Sequence, residues 1–139
     1  MRPLTLRTQT LQNSCVSACI AMLADVDEQV VSSEFNEDYH MAPELTMYKM
    51  LAKYGIEAVP SSSYGSTMYW GQCYLVSVPS LNDSGGTHQI IVDLRFGAEA
   101  LKSIYDPQEG NPGCYHYKDF QMMCSFNIDA RILDCPAFH

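Results

Sequence analysis

Two stretches, Asn13-Ser-Cys-Val-Ser-Ala-Cys-Ile-Ala-Met-Leu23 and His88-Gln-Ile-Ile-Val-Asp-Leu94, are written in different structural periods. In the first, Val16, Cys19, Ile20 and Leu23 recur at i, i+3, i+4 and i+7. That is one stripe of a helix that Asn13 or Ser14 can cap and Cys15 opens. The second is a short apolar run of β-branched residues, Ile90, Ile91 and Val92, which predicts a strand. Working outward from the first, a second helix is expected over Glu28 to Phe35. A third should start at Pro43, carry Leu45, Tyr48 and Leu51–Ala52 on one face, and stop at Gly55. Working outward from the second, strands are expected at Cys73–Val78, Leu101–Tyr105 and Asn127–Leu133, with a turn around Gly97 and a short helix over Tyr117–Cys124. Residues 61–66 and 80–87 read as loops by their serine, glycine and asparagine content. Helices first and antiparallel strands afterwards make the fold class α+β. No repeat, linker or charge block divides the chain, so residues 1–139 are expected to form one domain.

Composition narrows the function classes. Eight lysines and arginines stand against 16 aspartates and glutamates, a formal net charge of −8, and the basic residues are scattered. Such a field repels phosphate backbones and anionic membrane surfaces, so neither nucleic acid nor membrane is an expected partner. Nothing is long and apolar enough to span a bilayer, and the N-terminus lacks the apolar run of a secretory signal. A cytoplasmic location follows as an expectation, in which the six cysteines are free thiols, some of them core residues. Cys114, His116, Cys124 and Cys135 could supply four ligands, but their spacing matches no common zinc module, so no metal and no cofactor is expected.

Three residues have the makings of a nucleophilic site. Cysteine catalysis needs an ionised thiol, a base within hydrogen-bond reach and donors for the developing oxyanion. Cys15 falls at a helix N-terminus, where unpaired N–H groups and the helix dipole favour a thiolate. His88 follows Ser84-Gly85-Gly86-Thr87 and opens the rigid strand. Asp106 ends the next strand before Pro107 and can orient an imidazole across the antiparallel pair. The bland readings are two core-facing cysteines, a solvent-facing histidine and an ordinary Asp-Pro turn.

The stretch from Gln9 through Cys15 to Leu23, followed by Gly86-Thr87-His88-Gln-Ile-Ile-Val92 and Ile104-Tyr105-Asp106-Pro107-Gln-Glu-Gly110, resembles the double-glycine leader peptidases. These are papain-like cysteine peptidases best known from bacteriocin exporters. Leu51-Ala52-Lys-Tyr-Gly55-Ile56 is similar to the family's second helix and the strand after it. The resemblance covers roughly residues 5 to 122 and implies a papain-like fold, N-terminal helices packed on an antiparallel sheet, in a free-standing member. It implies Cys15 as nucleophile, His88 as base and acid, and Asp106 as the residue that orients it. Gln9, six residues before the cysteine, would share the oxyanion hole with the Cys15 N–H, and Gln12 is its rival. The family often has an acidic residue before the cysteine and glycine after it, where this chain has Ser14 and Val16. The expected function is a thiol hydrolase cleaving a peptide or isopeptide bond of a protein or peptide substrate. A deamidase or acyltransferase would use the same triad. The reading from another class is a non-catalytic binder that engages a protein partner through the acidic surface.

Overall fold

The computed structural model describes residues 1–139 apart from Gly65 and Ser66, with side chains described outside residues 62–66. Three helices come first: α1 (Cys15–Ala24), α2 (Glu28–Met41) and α3 (Pro43–Lys53). Five strands follow: β1 (Glu57–Tyr64), β2 (Cys73–Pro79), β3 (Thr87–Asp93), β4 (Ile104–Tyr105) and β5 (Asn127–Asp134). They form one antiparallel sheet in the order β1-β5-β2-β3-β4, so the last strand inserts at the second position. The class is α+β. Among the described residues, no helix is long and apolar enough to cross a membrane.

α1 begins at Cys15 and runs through the middle of the molecule. The expected single stripe gives way to burial on every side, from Val16 to Ala24. A helix covered all round has no polar face to show, which its composition allows. Small residues (Ser17, Ala18, Ala21) let β3, α2 and the C-terminal turn at Pro136–Phe138 approach it together. It ends at Asp25, a non-glycine residue in the left-handed region (φ 59°), which short polar side chains tolerate. Arg2 and Arg7 pair with the Asp25 carboxylate, and the Arg2 contact leads in holding its pKa below the ordinary value.

The sheet is covered on both faces, which explains why β3 reads as an uninterrupted apolar run. Cys73, Leu75 and Ile91 face the helices, whereas Val76, Val78, Ile90 and Val92 pack with Tyr117 and Met123 from the long β4–β5 connection. The β2–β3 hairpin pairs Val78 with His88 and is closed by the Ser80 N–H donating to the Gly86 carbonyl at 2.9 Å. His88 is therefore held at the hairpin end of β3, paired with Val78.

Several expectations need correction. α2 continues six residues past Phe35. Its polar extension is fastened to α1 and the turn before it, as Ser17 Oγ donates to Asn36 Oδ1 and His40 Nε2 to the Asn13 carbonyl. α3 buries Thr46 and Met50, leaving Leu45 and Tyr48 exposed. The helix is turned about its axis from the expected face, because Met50 fills the core beside α1. Of the expected 61–66 loop, residues 61–64 belong to β1, and residues 65 and 66 lie outside the described residues. β1 is an edge strand, where serines and Pro60 do not interrupt a ladder on both sides. The strand expected from Leu101 shrinks to Ile104–Tyr105, with Leu101 fully exposed. The expected 117–124 helix is only a 3₁₀ turn at Phe120–Met122, capped by Asp119 Oδ1 accepting from the Met122 N–H at 3.2 Å.

Candidate active site

The turn that delivers Cys15 is anchored on two sides. On one side the Gln9 N–H donates to the Pro107 carbonyl (2.8 Å), Thr8 Oγ1 donates to the Glu109 carbonyl (2.7 Å), and Asn111 Nδ2 donates to the Gln9 carbonyl (3.1 Å). On the other, Thr10 Oγ1 donates to Glu28 Oε2 (2.7 Å), and Asn36 Nδ2 to Asn13 Oδ1 (3.2 Å). Ser14 stands at the N-cap position, yet its hydroxyl is spent inside the turn, accepting from the Leu11 N–H at 3.1 Å and donating to the Leu11 carbonyl. The Ser14 side chain does not cap α1, so the helix start presents to an anion the donor end that a cap would have covered. Cys15, half-buried, is the first residue of that end.

His88 and Asp106 meet across the β3–β4 edge. His88 Nε2 donates to Asp106 Oδ1 at 2.6 Å. The carboxylate is 1% exposed and doubly held, because Oδ1 also accepts from the Gln108 N–H (2.8 Å) and Oδ2 from the Tyr117 N–H (2.7 Å). Tyr117 is itself pinned by its hydroxyl, which donates to the Pro79 carbonyl at 2.6 Å. With Nε2 committed, the other imidazole nitrogen is left free for Cys15, whose thiol is the second group, after Asp106, that acts on the His88 charge. Burial by itself would lower the His88 pKa. The hydrogen bonds and charges of Asp106 and Cys15 outweigh it and push the value up from 6.5 to about 9. At neutral pH the ring is therefore an imidazolium, flanked by a fixed carboxylate and a thiol.

The remaining expected residues divide. Gln9 is 2% exposed, and its Nε2 donates to the Leu11 (2.9 Å) and Gln12 (3.0 Å) carbonyls, while Oε1 has no hydrogen-bond partner among the described residues. Gln12 has an exposed side chain and contributes its carbonyl to Gln9. The structure thus brings Cys15, His88 and Asp106 together and sets Gln9 in the turn beside them, with both amide hydrogens engaged. Cys19, one turn further along α1, is a fully buried free thiol that donates to the Gln89 carbonyl at 3.5 Å. Burial leads in pushing its pKa well up, with the Cys15 charge next, so it is inert where Cys15 is not enclosed.

Reading the sequence missed the groups that steady Asp106. The Gln108 N–H is within its reach, since Asp followed two residues later by a donor is an Asx turn. Asp106 thus makes both the Asx-turn bond that the Asp-Pro reading expected and a hydrogen bond to His88. Tyr117 lies eleven residues away with nothing local to mark it. Comparison with protein-family models, curated proteins and solved structures found no match.

Proposed function

We propose that this chain is a papain-like thiol hydrolase that cleaves a peptide or isopeptide bond. The observation that carries the reading is the Asp106–His88 hydrogen bond (2.6 Å) with Cys15 acting on the same imidazole, the ring held charged and the sulfur at a helix start that Ser14 does not cap. Thiolate nucleophiles are stabilised by an adjacent imidazolium and by helix N-termini, and both stand at Cys15. In the reaction, the Cys15 sulfur attacks the carbonyl carbon and the electron pair moves to the oxygen. The N–H at Cys15 receives that oxyanion, joined by Gln9 once one of its amide hydrogens turns from the Leu11 or Gln12 carbonyl. His88 gives its proton to the leaving amine as the C–N bond breaks, leaving a thioester. His88 then takes a proton from water, the hydroxide attacks the thioester, and the acid leaves while the sulfur regains its charge. A side-chain amide could be hydrolysed by the same steps, or an amine could replace water in the last one. A set of free thiols suits a reducing compartment, so we place the enzyme in the cytoplasm.

The test compares iodoacetamide alkylation at pH 6 with peptide hydrolysis. Cys15 should alkylate faster than Cys124, although Cys124 is more exposed, and Cys15→Ala should abolish hydrolysis with an unchanged melting temperature. Full biological activity in Cys15→Ala at unchanged stability would turn the reading to a non-catalytic binder.

A further inference from the structure

Beside the triad runs a groove of about 380 Å³ between α3 and the sheet, which the hydrolytic steps do not use. Its sides are apolar, made by Met47, Leu51 and Leu75. Its charged lining groups are two carboxylates, the half-buried Asp129 and the exposed Glu44, with no lysine, arginine or histidine among the residues that line it. Asp129 Oδ2 accepts from Ser77 Oγ (2.5 Å) and Gln89 Nε2 (3.0 Å), and Oδ1 accepts from Asn127 Nδ2 (2.7 Å). All three donors are neutral, and among the described residues Asp129 has no ion-pair partner. A carboxylate offers about four acceptor positions, so the anchored group keeps room for one more donor.

The groove adjoins the nucleophile. Gln89 on its wall accepts through its carbonyl from Cys19 Sγ (3.5 Å), one turn beyond Cys15 on α1, and Cys15 packs against the same core cluster as Tyr39, Met47 and Leu51 of the groove. Tyr39, also on its wall, has its phenol pKa raised first by burial and then by the charges of Cys15 and Asp129. One residue thus lies within electrostatic range of both. A side chain entering here meets an aliphatic passage ending at an unneutralised carboxylate, inside a molecule of net charge −8. An acidic side chain would be repelled, and a purely aliphatic one would desolvate Asp129 without replacing its water.

We infer that this groove is the specificity subsite for a basic residue of the peptide substrate. The methylenes of lysine or arginine lie along Met47, Leu51 and Leu75, and the cationic head pairs with Asp129, with Glu44 adding attraction at the exposed side. The inference rests on the hydrolase reading for its substrate and deepens it by naming the side chain that places the scissile bond.

The experiment uses quenched-fluorescence peptides of one sequence, swept at single positions through lysine, arginine, norleucine and glutamate. Wild-type enzyme should favour lysine or arginine over norleucine at one position by about tenfold or more in kcat/KM, a difference of about 1.4 kcal/mol. Asp129→Asn, nearly isosteric, should bring that ratio close to one, and Glu44→Gln should reduce it partly. Raising salt should raise KM for the lysine peptide and not for the norleucine peptide. Glu44→Gln and the salt series decide the question even if Asp129→Asn fails to fold. Hydrolysis with no basic preference, or a preference that survives both variants and salt, would overturn the subsite and leave the hydrolase reading intact. If no peptide is cleaved, anisotropy with labelled lysine and norleucine peptides on Cys15→Ala decides the subsite alone. Tighter, salt-sensitive binding of the lysine peptide upholds it, and equal binding overturns it.

Discussion

At His88 two opposed effects are large, and their balance makes the site. Burial favours the neutral ring, whereas Asp106 and Cys15 favour the charged one and win, giving a pKa of about 9 against an ordinary 6.5. Because the folded value is raised, the stabilisation from charged His88 is fully present below about pH 6.5 and is lost as pH climbs towards 9. Melting temperatures between pH 6 and 10 should decline across that window, and Asp106→Asn should flatten the decline by removing the main charge partner. A slope that persists unchanged in Asp106→Asn would mean that another group titrates. Gln9 is also a residue-scale question, since its two amide hydrogens already have acceptors. Gln9→Ala should lower kcat by about 10²-fold with a smaller effect on KM, the cost of one oxyanion donor when a backbone N–H remains. Equal losses in a substrate-binding assay would instead place Gln9 in ground-state binding.

At the scale of elements, the site depends on the stitching of residues 8–9 to residues 107–111 more than on α1 itself. Gly110 sits at φ +98°, and a Cβ there would come 3.1 Å from Thr8 Oγ1, the hydroxyl that holds the two segments together. Gly110→Ala should therefore destabilise the fold by about 1–3 kcal/mol through backbone strain. It should also reduce turnover more than that loss explains, because the same turn carries Gln108, whose N–H steadies Asp106. Denaturant midpoints and kcat measured on one preparation test both parts; wild-type turnover in a destabilised Gly110→Ala would show that the stitch is only structural. The helix starts at Cys15 and Pro43 were legible because the apolar helical period and the proline rule act locally, although the side-chain cap expected at Asn13 or Ser14 does not form. The rotation of α3, the length of α2 and the strand character of residues 61–64 were not. Each was decided by contacts distant in sequence: the core cluster with α1 that takes up Met50, Asn13 beneath His40, and β5 along β1.

The whole molecule is tied at the edge away from the site by Arg95. Its guanidinium makes a bidentate pair with Asp93 (Nε–Oδ1 2.9 Å, Nη2–Oδ2 2.9 Å), donates to the Arg2 carbonyl, and lies 3.7 Å over the Phe138 ring. One side chain thus joins the N-terminal segment, the end of β3 and the C-terminal turn. Asp93 is 1% exposed, so Arg95→Ala strands a buried carboxylate and should cost about 3–5 kcal/mol in unfolding free energy. Replacing both, as Asp93→Leu with Arg95→Met, should recover most of that loss, and chemical denaturation of the three forms compares them. A double variant as unstable as the single one would assign the loss to the contact with Phe138 and not to the stranded charge.

What the sequence by itself determined is local or periodic. The helical period around Cys19, the β-branched run after His88, the proline and glycine punctuation and the donor-rich start at Cys15 all follow from neighbours a few residues apart. The order of helices before antiparallel strands sufficed for the α+β class. Only the tertiary structure decided that β5 would insert between β1 and β2, burying both faces of the sheet's centre. It also decided that Tyr117 would donate to Asp106 and that α3 would leave an acidic-floored groove beside Gln89. These pairings close long loops, and their entropy cost is recovered only when the two apolar faces and the buried carboxylates are satisfied together. No stretch of chain shorter than the whole carries that condition.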